Sequence, residues 1–169
     1  MPSETSSTLL GTSGLAVALI GSLILAVTRG GVDPEHLLKV RRVAALGVVL
    51  HVVHFCEEYW QEFYLRFPSL FGLAPWSEGF FVTFNVFWLA VWVLAIIGLA
   101  KLPRAAAFPL WFLALASAAN GVVHPLLSLA VAGYFPGLWS SPLVGILGVL
   151  LLRNLGAATH ARSNSHGVA

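Results

Sequence analysis

Charge is the scarcest commodity in this sequence. Only 9% of its 169 residues are Asp, Glu, Lys or Arg, whereas a soluble domain carries about 25%. So few charges cannot clothe a water-facing surface, which excludes an ordinary soluble enzyme or binding module. Cysteine is nearly absent too. The single Cys56 excludes an intrachain disulfide and a zinc–thiolate cluster. No glycine-rich phosphate-binding loop is found, which removes the dinucleotide and nucleoside-triphosphate classes. No basic run is found either, so nucleic acid is not an expected partner.

What is present is apolar. Hydrophobic residues make up 58% of the chain, and the mean hydropathy is +0.86. Five apolar runs stand out, at about 8–28, 40–58, 80–100, 105–132 and 138–155. Each is near the roughly 20 residues that cross a bilayer core as a helix. Backbone groups in lipid must be satisfied internally, so an open chain crosses as helices. The expectation is an all-α integral membrane bundle of five transmembrane helices in the cell membrane. Residues 1–158 form a single domain, and 159–169, with His160 and His166, form a flexible polar tail. The leading segment holds Glu4 and no Lys or Arg, so the first run reads as a span rather than a signal peptide.

Charge placement orients the bundle. Of the nine basic residues, Arg29, Lys39, Arg41, Arg42, Lys101, Arg104, Arg153 and Arg162 fall on one side of the five runs, and only Arg66 on the other. The positive-inside rule then puts the N-terminus outside and the C-terminus in the cytoplasm. The outer loop carries Trp60, Phe63, Tyr64 and Phe67 at helical spacing. It reads as a short amphipathic helix ended by Pro68, serving as an interfacial anchor or a lid. Gly14, Ala18 and Gly21 give the first helix a small-residue face that permits close packing, including with a second copy of the chain.

The polar residues of the apolar runs gather at one depth. His51, His54, Glu57 and Glu58 lie near the outer end of the second run, and Asn85 near the start of the third. Ser117, Asn120 and His124 lie in the outward half of the fourth, Ser140 and Ser141 begin the fifth, and Thr12 and Ser13 begin the first. At about 100° per residue, His51, His54, Glu58 and Glu62 share one helical stripe, with Glu57 on its flank. Ser117, Asn120 and His124 share another. Polar stripes on apolar helices face each other or a cavity rather than lipid.

Three motifs hold most of these residues. They are H-x-x-E-E in HFCEE (His54, Glu57, Glu58), N-x-x-x-H in NGVVH (Asn120, His124), and Y-x-P-G-x-x-[ST] in YFPGLWS (Tyr134, Pro136, Gly137, Ser140). In this order they resemble the HXXEE-motif family of small multi-pass membrane proteins, over about residues 45–155. Ser140 stands where that family usually has Thr, and the hydroxyl is kept. The resemblance implies that His54, Glu57, Glu58, Asn120, His124 and Tyr134 belong to one site, and it implies no particular reaction.

Two chemistries suit these residues. Imidazole and carboxylate donors match a divalent Zn, Fe or Mn ion, with His54, Glu58 and His124 as ligands. Glu57 is then a further ligand or general base, and the reaction expected is metal-dependent hydrolysis of a lipid or another apolar or amphiphilic molecule. Without metal, Glu57 or Glu58 with His54, Asn120 and His124 supports acid/base chemistry of an isomerase or cyclase type. Trp88, Trp92, Trp111 and Trp139 are then candidates to stabilise a cation. His51, Asn85, Ser117, Tyr134 and Ser140 are expected to contact substrate or support the site. A proton, metal-ion or small-solute carrier is the competing class, because intramembrane Glu and His also build relays.

Overall fold

The computed structural model describes residues 7–9 and 12–159. Among them the secondary structure is entirely helical: α1 Ser13–Arg29, a 3-10 turn Pro34–His36, α2 Leu37–Trp60, α3 Phe63–Leu70, α4 Glu78–Gly98, α5 Pro103–Ala130 and α6 Ser141–Ala158. The five long helices coincide with the five apolar runs. Three of them, α4, α5 and α6, are long and apolar enough to cross a membrane. By length and composition three helices qualify, where five were expected. The 17-residue α1 is slightly short. The 24-residue α2 has the length, but Lys39, Arg41 and Arg42 at one end and the two His–Glu pairs at the other dilute its hydropathy.

α2 is inside out relative to a helix of a soluble protein. His51, His54 and Glu58 are buried, while Leu46, Val49, Val52 and Val53 are exposed. α1 likewise exposes Val17, Ile20, Leu23, Ile24 and Val27. At the end of the bundle carrying Arg29, Lys39, Lys101 and Arg153, the core is dry. Val40, Ala44, Leu110, Leu113 and Leu155 are fully buried there in one apolar cluster.

α5 is the central helix, packed on α1, α4 and α6. Its contact with α6 is backbone on backbone. A Cβ on Gly121 would lie 2.6 Å from Gly145 Cα, and one on Gly148 would strike Ala118 N. Small residues permit such an approach, and it brings the start of α6 beside His124. The small face of α1 is used within the chain. A Cβ on Gly21 would meet Leu115, and Gly14 and Ala18 line a cavity.

Two chain ends depart from the sequence reading. Pro68 does not terminate the outer helix, which runs on to Leu70. Proline cannot donate to the carbonyl four residues back, and Trp76 N–H takes over that Tyr64 carbonyl at 3.0 Å. Thr159, assigned to the tail, is buried and donates its hydroxyl to Leu155 O at 2.7 Å. The rest of the expected tail, with His160, Arg162 and His166, lies outside the described residues, as does Glu4. Glu62 leaves the polar stripe because α2 stops at Trp60 and Glu62 adopts a left-handed conformation, φ 58°.

Candidate metal centre

Three side chains predicted to share a site do so. His54 and Glu58 stand one turn apart on α2, and His124 reaches them from α5. Glu58 Oε1 lies 3.6 Å from His54 Nε2 and 3.3 Å from His124 Nε2. All three residues are buried, and their donor atoms fall within 4.8 Å of one another. The two rings meet edge to face at 4.7 Å.

Their hydrogen bonds decide which ring nitrogen carries a proton. His124 Nδ1 lies 2.7 Å from the Pro136 carbonyl, which can only accept, so Nδ1 carries the hydrogen and Nε2 a lone pair. His54 Nδ1 lies 2.7 Å from Ser140 Oγ. That hydroxyl spends its one hydrogen on Glu57 Oε2, so it accepts from His54, and His54 Nε2 is also left with a lone pair. Two Nε2 lone pairs and a carboxyl oxygen therefore converge, and neither ring supplies a hydrogen between them; the Asn120 amide, 3.4 Å from His54 Nε2, is the donor nearest that lone pair. Separations of 3.3 and 3.6 Å exceed the usual range of about 2.7–3.2 Å for an N–H···O bond. They suit ligands of one ion, since metal bonds of about 2.1 Å at tetrahedral angles place donors about 3.4 Å apart. The group could hold one metal ion.

Glu57 does a different job. Its carboxylate accepts from Tyr134 Oη at 2.8 Å, Trp139 N at 3.0 Å, Ser140 N at 2.9 Å and Ser140 Oγ. The connection between α5 and α6 is thus wrapped around one carboxylate of α2. Burial, followed by the hydrogen bond to Glu57, pushes the Tyr134 hydroxyl above the ordinary tyrosine range, so it stays a donor. Glu57 and Ser140 stand behind His54 and fix its ring, and none of Glu57, Tyr134 and Ser140 lines the cavity. Ser140→Ala removes the acceptor of the His54 N–H. Metal affinity is expected to fall 10- to 100-fold, as is usual when such support is lost, with the helix content unchanged; titration with zinc checks this.

The remaining predicted residues surround the triad. His51, Asn85 and Asn120 line the same cavity. Asn120 Nδ2 is 3.4 Å from His54 Nε2. Ser117 Oγ is 3.4 Å from His51 Nδ1, and Asn85 returns its amide to Phe81 O on its own helix at 2.9 Å. Of the four tryptophans, Trp88 and Trp92 line the cavity. Trp111 is packed in the core and Trp139 is exposed. The cavity is about 590 Å³, and its walls are mainly apolar and rich in aromatic rings, Phe63 and Phe67 of α3 among them. The residue that sequence reasoning passed over is Gly137. At φ 88° it lies directly against the His124 ring and near His54. The Pro-Gly pair in the third motif carried that signal as a turn.

No protein family, curated protein or solved structure matches this chain.

Proposed function

We propose that this chain is a multi-pass enzyme of the cell membrane that hydrolyses a lipid, or another apolar or amphiphilic molecule, with a divalent metal held by His54, Glu58 and His124. The observation that carries the reading is the convergence of two imidazole lone pairs and one carboxylate on the wall of an aromatic cavity. Two imidazoles and one carboxylate form a donor set suited to Zn, Fe or Mn. A bound ion of this kind supplies a Lewis acid that acidifies water and polarises a carbonyl. The chain's own residues do the rest. Glu57 and Ser140 orient His54, Pro136 orients His124, and the aromatic walls exclude bulk water. The Asn120 amide, beside the triad, is placed to donate to a carbonyl oxygen as charge builds on it. The likeness of the three motifs to the HXXEE family supports reading them as one site.

All five long helices cross the bilayer in this proposal. The exposed apolar faces of α1 and α2 favour it, because a buried polar stripe with a greasy outside suits lipid and not water. The basic residues at the end away from the triad favour a cytoplasmic C-terminus and a site in the outer leaflet. A carrier is disfavoured by the apolar cluster between the triad and the basic end, where Val40, Ala44, Leu110, Leu113 and Leu155 close the interior before Asp33, Glu35 and His36 are reached.

The test uses purified protein in nanodiscs, stripped of metal and reloaded with Zn, Fe(II) or Mn(II), with p-nitrophenyl palmitate as substrate. Stoichiometric metal and chelator-sensitive ester cleavage are expected. Turnover that persists in rigorously metal-free protein would transfer the site to acid/base chemistry, and metal or proton flux in liposomes without turnover would transfer it to the carrier class.

A further inference from the structure

The cavity is walled by two helices that barely touch. α1 and α4 both pack on α5, and neither packs substantially on the other. α1 contributes Gly14 and Ala18 to the cavity and α4 contributes Phe84 and Trp88, while Phe112 and Ala116 of α5 form its back. At the outer end the gap between the two helices is bridged. Ser7 Oγ, ahead of α1, donates to Ala74 O, ahead of α4, and Phe63 and Phe67 of α3 line the same cavity. Below that bridge the flanks are bare and apolar, with Val17 71% exposed on α1 and Phe87 57% on α4.

We infer that the gap between α1 and α4 is a lateral portal through which one acyl chain of a bilayer lipid lies in the cavity, its ester linkage toward His54, Glu58 and His124. This rests on the membrane-embedded reading above and adds the substrate class and its route. Three observations carry it. The mouth is flanked by side chains that face hydrocarbon in that reading, so an acyl chain passes from bilayer to cavity without crossing water. Apart from Thr12, Ser13 and Asn85, the walls are aromatic and aliphatic up to His51, Asn120 and the triad. The volume of about 590 Å³ lies within the range of about 300–1,000 Å³ that holds one small ligand, so it takes a chain and its linkage while the rest of the lipid stays in the bilayer.

Gly14 offers a clean test. It lines the cavity, yet a Cβ built on it meets nothing within 4 Å. Gly14→Ala therefore leaves the cavity open, and Gly14→Trp fills the mouth from the α1 side. The full-length protein is placed in nanodiscs containing a trace of phosphatidylcholine with a diazirine midway along one acyl chain. It is then irradiated, digested and mapped by mass spectrometry, and zinc stoichiometry is measured in the same samples. Label is expected on the peptides holding Trp88 and Phe112 in wild type and Gly14→Ala, and at least fivefold less in Gly14→Trp with zinc retained. Label confined to outward residues such as Leu94 and Ile97, or internal label indifferent to Gly14→Trp, would overturn the portal even where zinc binds. Internal label that obeys Gly14 in a protein that binds no zinc would uphold the portal and remove the metal.

Discussion

Glu58→Gln is expected to abolish stabilisation by metal while leaving the metal-free protein at least as stable as wild type. In the metal-free state Glu58 Oε1 faces two nitrogen lone pairs inside a buried pocket. A bare carboxylate there has lost water and gained no donor from either ring, a costly arrangement that a proton held between Glu58 and one Nε2 relieves. Glutamine keeps the shape of that neutral acid and presents an N–H that can donate to the same Nε2. Adding metal reverses the comparison. An ion that binds only the folded protein stabilises it by about 2.7 kcal/mol at a concentration 100 times Kd. For a chain of this size that is roughly 5–10 °C in Tm. Zinc should raise Tm of wild type by that amount and leave Glu58→Gln unmoved, as read by thermal unfolding in detergent alongside metal analysis. A Glu58→Gln protein that still binds one zinc per chain and gains the same increment would dispose of the metal centre.

Gly137→Ala should be nearly as damaging to metal binding, although it adds one methyl group and changes no ionisable residue. Position 137 sits at φ 88°, where a Cβ costs roughly 1–2 kcal/mol. Here the methyl would also overlap the His124 ring and approach His54 Cε1 to 2.9 Å. Neither ring can yield freely, because His124 is tied to Pro136 O and His54 to Ser140. Adding the overpacking cost of about 1–3 kcal/mol gives a loss of about 2–5 kcal/mol, with metal affinity lost as the two Nε2 atoms are pushed apart. Gly133→Ala is the control, since a Cβ there meets only Val131 O at 3.8 Å. Unfolding curves and zinc titrations of the two variants make the comparison; equal behaviour would mean that the loop does not hold the rings.

The helices and the triad were legible for different reasons. Helix positions follow from hydropathy, which depends on residue type alone, so the apolar runs at 80–100 and 105–132 fall on α4 and α5 nearly end to end. The hydropathy of α2 is low because His51, His54 and Glu58, which the fold turns inward, count against it together with the exposed Lys39, Arg41 and Arg42. The partnership of His54 with Glu58 was readable because four residues make about one helical turn. The arrival of His124 was readable only as a shared depth.

The division of labour between the two adjacent glutamates was not readable. Glu57 and Glu58 differ by one step of the helix, about 100° of rotation. That step points one carboxylate at the imidazoles and the other at the loop. The sequence had placed both with the catalytic groups. The tertiary structure hands Glu57 to Tyr134, Trp139 and Ser140, and these sit some 80 positions further along the chain.

Residue type and local periodicity were sufficient for an all-helical, lipid-suited chain with its ionisable groups near one end, since each of those properties is settled within a turn or a span. Three matters awaited the packed chain: the hydrogen bonds at Nδ1 that turn both Nε2 lone pairs toward Glu58, the glycine that backs the two rings, and the gap between α1 and α4. Each depends on where distant backbone comes to rest, and no local pattern encodes that.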